Sequence, residues 1–524
     1  MSAFSSNPEF LRNARIQLRP GRAIAALVIC AAVSLTVWYS FENGITVGAP
    51  VEQSIGMFKF ILTLQIVVLL IGGGIYELLS VHREKELNTF DYQRVTRLKA
   101  LELGIGKLFG APILMYLIVL CMMPIALLGA FQGTIHFKLF AEAYLILFIG
   151  CIAFHVLALL ISMALGRGVS AIAILPFLIL VAFTSIDLSG GASNWMFHQL
   201  NPFAAVAIIE SNTGPGVKDL FFGLSVSHFI VLMAIYVAFT AWFLLAIVRN
   251  LKRDPAVYEL YSPAQAFGFA MFLEFMIIGF FNWKSPVGAP IIFNNQLLGY
   301  NPLPVVDIEK GMMGWSFWVF VLLGLILLRN RERVRRRIRT IGESAASLWA
   351  AFWPAPYLLA GVIAVGVGVL ELINVYRRPA SVEWSSGLPI VIIAFMALWI
   401  ARDSLYLQWM GLRRARHPRV AAVLFLVVFY LCMSVILGVA SASLHHTFAP
   451  FSAALLPFNV LRLNIASWYE DFRLWIFALV LLAAQVVLFA LLQWLKLREF
   501  LSPASATPIA PTPAPATTGS LFPR

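Results

Sequence analysis

Twelve apolar stretches, each about as long as a membrane's hydrocarbon is thick, constrain this chain more than anything else in it. They fall near 23–41, 57–79, 108–131, 139–165, 169–188, 225–248, 264–282, 312–328, 349–372, 388–402, 419–440 and 474–496. A helix needs roughly 20 apolar residues to cross about 30 Å of hydrocarbon, and in lipid only a helix or a closed barrel satisfies its own backbone. With 60% of residues hydrophobic and 12% charged, an aqueous core could not hide this much apolar surface. The expected fold is therefore an all-α, polytopic transmembrane bundle of about 12 spans.

Charge orients the bundle. With both termini in the cytosol, 29 Lys and Arg fall on the inner segments and 8 on the outer loops, with Lys59 inside a run. That is the bias of the positive-inside rule. The formal charge of +13 then reports topology and contact with anionic lipid, and no nucleic acid is implied. Cys30, Cys121, Cys151 and Cys432 all fall inside spans without CxxC spacing, as small core residues do. Four arginines precede the first apolar run, which is long enough to span, so a cleaved signal peptide is not expected.

Residues 1–22 are expected to hold an interfacial amphipathic helix over 6–19. Asn7 suits its cap, Pro8 its first position and Glu9 its positive end. Phe10, Leu11, Ala14 and Leu18 share one side, and Arg12, Arg15 and Arg19 face elsewhere. A six-helix bundle follows over 23–250 and a second bundle over 251–499. Pro, Ala and Thr dominate the tail at 500–524, which cannot bury a core. The second bundle echoes the first as a degenerate repeat. Its basic entry runs from Arg329 to Arg339, its charged loop runs from Arg402-Asp403-Ser404 to Pro418, and Leu456-Pro457-Phe458 answers Asn201-Pro202-Phe203.

The densest charge lies in the loop after the second run, where Arg83-Glu84-Lys85-Glu86-Leu87-Asn88-Thr89-Phe90-Asp91 is followed by Thr96-Arg97-Leu98-Lys99 and continues to Glu102, Gly106 and Lys107. The second span can continue as a helix through Glu84 and Glu86. Thr96 is placed to cap a helix that starts at Arg97 and runs up into the third span. This loop resembles the one after the second span in ABC exporter permeases of the type-2 class, roughly R-E-[KR]-E-x-G-T-L-E and then T-P-L-S-x-x-E-I-x-x-G-K. Arg83, Glu84, Lys85, Glu86, Thr89, Thr96, Leu98, Glu102, Gly106 and Lys107 match in register. Asn88 replaces the usual Gly, Arg97 the Pro and Lys99 the Ser. The resemblance implies that Arg83, Glu84, Glu86, Thr89, Thr96, Leu98, Glu102, Gly106 and Lys107 couple the bundle to cytosolic ATPase subunits. It also implies an opening interfacial helix and two six-helix bundles. The plainer reading is a solvated interhelical loop.

No G-x-x-x-x-G-K-[ST] occurs anywhere, so ATP hydrolysis is expected on a partner and this chain is not expected to be an enzyme. Leu188-Ser189-Gly190-Gly191 imitates an ATPase signature but sits at the outer end of a span. Glu274 is the deepest carboxylate and His155 the deepest imidazole, both expensive in hydrocarbon, and they are candidate pathway residues. Interhelical hydrogen bonding is the structural alternative, for these and for Gln65 and Gln485. Glu142 and Glu371 lie near outer ends, within reach of water. Gly72-Gly73-Gly74 lets the second span approach a neighbour closely. His445-His446 with Glu470-Asp471 sets no tetrahedral geometry, so no metal and no cofactor are expected.

These readings converge on the permease of an ATP-driven exporter in a bacterial inner membrane. Its expected partners are ABC ATPase subunits, membrane lipid and a second permease chain if one chain does not complete the pathway. The rivals are a twelve-span secondary transporter, a membrane-embedded enzyme and a membrane scaffold. The long loop without a G-x-x-x-D-R-x-G-R-R turn counts against the first, and the lack of clustered acids or histidines at one face against the second.

Overall fold

A computed structural model describes residues 7–42, 50–164, 200–210, 219–221, 224–253, 260–281, 388–413 and 472–501. It also describes interrupted stretches within 174–181, 292–297, 316–327 and 421–436. Among the described residues the protein is helical apart from two minimal antiparallel hairpins, β1 (Asp219–Phe221) with β2 (Leu224–Val226) and β3 (Ile292–Phe293) with β4 (Gln296–Leu297). Among the described residues six helices are long and apolar enough to cross a membrane: Pro20–Glu42, Pro50–Glu86, Ile113–Gln132, Phe137–Met163, Phe229–Asn250 and Arg473–Glu499. The chain is in this respect a multi-pass membrane protein. The run at 264–282 forms a shorter apolar helix, the runs at 169–188, 312–328 and 419–440 are described in part, and 349–372 lies outside the described residues.

The chain divides into two compact units, Met1–Met312 and Met313–Arg524. In the first, α1 (Pro8–Gln17) leads into α2 (Pro20–Glu42). Then come α3 (Pro50–Val67), a π-helical turn at Val68–Gly73 and α4 (Gly74–Glu86), which together form one long rod. Two short helices follow, α5 (Phe90–Val95) and α6 (Ala100–Gly110), and then the long α7 (Ile113–Gln132) and α8 (Phe137–Ala164). After α9 (Ala204–Glu210) the unit finishes with α10 (His228–Asn250) and α11 (Pro263–Phe281). Helix α8 is the spine, packing on α4 and on α10, while α7 packs on α2 and α3 and α1 lies along α6. Phe58, Ile61, Leu62, Leu69, Ile146 and Leu147 fill the space between them without exposure.

The first unit extends past the join at 250 read from the sequence, because α11 is fastened to α10. Ser262 Oγ accepts from the Gln265 N–H while Gln265 Oε1 accepts from the Ser262 N–H, a capping box with Pro263 at the first position. Tyr261 then donates to the Trp242 carbonyl at 2.8 Å and sets its ring edge-on to that indole.

In the second unit α12 (Leu388–Gly411) packs on α13 (Phe472–Leu501), with Phe395 edge-on to Trp475. The segment Arg402-Asp403-Ser404, expected to open a loop, is instead buried inside α12. Arg402 and Asp403 neutralise each other there, so the helix runs on to Gly411. The basic entry Arg329 to Arg339, Leu188 to Gly191, Glu371, Leu456 to Phe458, His445-His446, Glu470-Asp471 and residues 502–524 of the tail lie outside the described residues.

Candidate functional site: a buried ion cluster joining three helices

The sequence reading of the first helix holds at its start. Asn7 Oδ1 accepts from the N–H groups of Glu9 (3.0 Å) and Phe10 (3.3 Å), and Pro8 occupies the first turn. Its burial was not anticipated. Helix α1 lies against α6, and Asn7 Nδ2 donates to the Glu102 carbonyl at 2.7 Å. The close approach needs glycine on the facing helix. A Cβ on Gly106 would stand 2.8 Å from Asn7 Oδ1 and 2.9 Å from Glu9 Cβ, and one on Gly110 would stand 2.9 Å from Asn13 Cβ.

At this contact the cluster forms. Lys107 on α6 is fully buried and donates to Glu9 Oε1 on α1 (3.0 Å) and to Glu84 Oε2 on α4 (2.5 Å). Arg12 donates to Glu9 Oε1 at 2.8 Å and also to Glu84 Oε1. Asn13 adds a donor to Glu9 and Gln93 of α5 one to Glu84. Two carboxylates thus face two cations, with amides filling the remaining acceptor sites. Buried charge is tolerated only when paired and hydrogen-bonded in this way. The ions come from residues 9, 12, 84 and 107, so three helices, α1, α4 and α6, meet at one charge-balanced point, and α5 adds the Gln93 amide. Arg12, expected to face away from the apolar side, stays exposed and reaches Glu84 from the edge of the cluster.

The surrounding loop is shaped by its caps. Helix α4 continues through Glu84 and Glu86 as expected and ends in a Schellman turn. The Thr89 N–H reaches the Glu84 carbonyl at 2.9 Å and the Asn88 N–H reaches that of Lys85 at 3.4 Å. That turn places Asn88 at φ 56, in the left-handed region where glycine is the easiest residue and asparagine a tolerated one. Lys85 runs back to the carbonyls of Ser162 and Met163, a cation on the negative end of α8.

Thr96 does not cap the following helix. It closes α5, its hydroxyl donating to the Gln93 carbonyl at 2.7 Å, and α6 begins at Ala100 with Lys99 at the cap position. Glu102 reaches back to the Lys99 N–H at 2.9 Å. The reciprocal half of such a box is missing, since an ammonium has no lone pair to accept with. Nor does α6 run into the next span. Pro112 cannot donate to a carbonyl one turn back, so the helix stops at Gly110 and α7 restarts at Ile113.

Several sequence-selected residues stand at the rim. Arg83, Glu86, Thr89, Thr96 and Glu102 are exposed and Leu98 half-buried. Glu86 pairs with the buried His82. Between them project Leu87, Tyr92 and Val95, at 72%, 74% and 82% exposure, and Lys252 steadies the patch by donating to the Thr96 carbonyl.

The pathway candidates fall apart from this cluster. His155 is fully buried on α8, where Nε2 donates to the Leu69 carbonyl at the π-helical turn (2.8 Å) and Nδ1 accepts from Tyr116 (3.1 Å). A carbonyl can only accept, so the proton sits on Nε2. One level along, Tyr144 donates to Gln65, whose amide donates to the Val119 carbonyl. Gly72, Gly73 and Gly74 allow the rod its close neighbours, for a Cβ on Gly73 would stand 2.4 Å from His155 and one on Gly74 2.3 Å from Phe177. Glu274 is buried on α11. Cys30 and Cys151 are buried, Cys121 half-buried and Cys432 exposed, all as free thiols.

The second unit carries its own ionic group. Arg402 donates to Asp403 (2.8 Å), to Tyr430 (2.8 Å) and to Gln485 of α13 (3.2 Å), and Tyr430 donates to Asp403. The repeat pattern hid this group, because an Arg-Asp-Ser sequence reads as a loop until a facing helix supplies Gln485.

No family model matches this sequence, and no curated protein or solved structure matches it.

Proposed function

We propose that the chain is the membrane permease of an ATP-driven ABC exporter of the type-2 class, with separate ATPase subunits docking on the surface formed by the end of α4, α5 and α6. The observation that carries this reading is the ion cluster under that surface. Lys107 ties the N-terminal helix, the long rod and α6 together through Glu9 and Glu84. A push on the exposed patch therefore acts on a helix that reaches through the first unit. The in-register resemblance over 83–107 supports it, and two departures from the family pattern fall where the local geometry explains them. Asn88 occupies a left-handed cap, and Lys99 a cap position that Glu102 half completes.

On this reading the bundle has about 12 spans, both termini are cytosolic, the membrane is a bacterial inner membrane and Glu274 and His155 line the route. The chain itself performs no hydrolysis. The test is affinity purification of the full chain from native membranes, comparing wild type with Leu87→Ala/Tyr92→Ala/Val95→Ala. These side chains are exposed, so the variant keeps its fold. An ATPase subunit recovered with wild type and lost with the variant is the expected result. Absence of any ATPase with folded wild type would overturn the reading and favour an autonomous transporter.

A further inference from the structure

Glu77 is a buried carboxyl of the first unit with no place in the ion cluster. Glu77 lies seven residues before Glu84 on α4, so the two occupy one stripe of the helix two turns apart. It is fully buried, and among the described residues neither of its carboxyl oxygens has a hydrogen-bond partner. Lys107 on α6 and Tyr116 on α7 are within electrostatic reach. Cys151 on α8 is a buried free thiol near Tyr116, and three further titratable groups are engaged elsewhere. Lys85 holds the end of α8, His82 pairs with Glu86, and His155 is shared between Leu69 and Tyr116.

The charge balance of the cluster decides what state Glu77 can hold. Glu9 and Glu84 already offset Arg12 and Lys107, so an ionised Glu77 would add an uncompensated buried charge with no donor on either oxygen. A neutral carboxylic acid avoids that cost. Glu77 shares with Glu84 the rod that carries the ion cluster, two turns further from the rim.

We propose that Glu77 is a proton-binding site inside the first unit, its proton exchanging with water through the end of the bundle closed by Lys107, Glu9 and Glu84. Binding breaks and forms one O–H bond: a hydron passes from water at the cluster to the carboxylate and returns the same way. The site goes beyond the exporter reading and stands whether or not an ATPase docks.

Infrared difference spectroscopy of the purified full chain in lipid bilayers tests it, with wild type and Glu77→Gln compared in H2O and D2O. The expected spectrum has a protonated-carboxyl C=O band that Glu77→Gln removes and that shifts down in D2O. Lys107→Met, by opening the cluster, makes that shift faster than in wild type. No band lost in Glu77→Gln would mean an ionised or differently paired carboxylate and would overturn the proposal. So would a band that stays unshifted after the exposed amides have exchanged, or one whose shift Lys107→Met leaves unaltered. If Glu77→Gln does not fold, Glu77→Asp serves in its place, moving the band to the aspartic acid position if the site is real and leaving the spectrum unchanged if it is not.

Discussion

The Lys107 cluster of the first unit and the Arg402 group of the second both bury cations with carboxylates, but they are assembled differently. Lys107 finds its partners 98 and 23 residues away. Arg402 finds its carboxylate on the next residue and then borrows Tyr430 and Gln485. Charge neutralised within one helix asks little of the surrounding fold. Charge neutralised among three helices holds their relative positions, and that is what a coupling element requires. The first arrangement joins helices far apart in sequence, while the second secures a helix that carries an otherwise costly pair.

Substitutions can break or sharpen this contrast. Lys107→Met leaves Glu9 and Glu84 buried together with only Arg12 between them. It should destabilise the chain by about 3–5 kcal/mol, the usual cost of stranding a buried charge. Arg402→Met strands the buried Asp403 with the Tyr430 hydroxyl as donor and should also cost about 3–5 kcal/mol. Denaturant unfolding in detergent checks both. The contrast then lies in which helices loosen, and loosening of remote helices by both variants alike would erase the distinction. Gly73→Ala drives a methyl into the His155 ring and should cost about 1–3 kcal/mol by overpacking, while also weakening the bond from His155 to the Leu69 carbonyl. Asn7→Ala removes the α1 cap and should cost about 1 kcal/mol, read as lower helix content at the N-terminus or earlier proteolysis there.

Much of this architecture was legible in the chain. The cap at Asn7, the continuation of the second span through Glu86 and the glycine run at 72–74 follow from local chemistry, since the residues concerned act on their own neighbours. What escaped depends on facing helices. Thr96 and Lys99 are both placed where a cap could fall, and only the end of α5 at Val95 decides between them. Arg402 and Asp403 read as a loop because nothing nearby in sequence marks α13 as their cover. Arg12 faces away from the apolar side as read, but its pairing with Glu84, 72 residues on, could not be read locally. Glu77 sits at the end of an apolar run, where a carboxylate ordinarily reaches water. Its seven-residue spacing from Glu84 was the one available signal that both share a buried stripe.

Hydrogen–deuterium exchange of wild type and Lys107→Met in lipid nanodiscs tests the central claim most directly. If Lys107 holds α1, the end of α4 and α6 as one piece, amides in Pro8–Gln17, Glu84–Thr89 and Ala100–Gly110 lose protection together, while those at the far end of α7 near Gln132 do not change. Loss confined to the turns beside residue 107, with α1 still protected, would contradict the claim and reduce the cluster to a local ion pair.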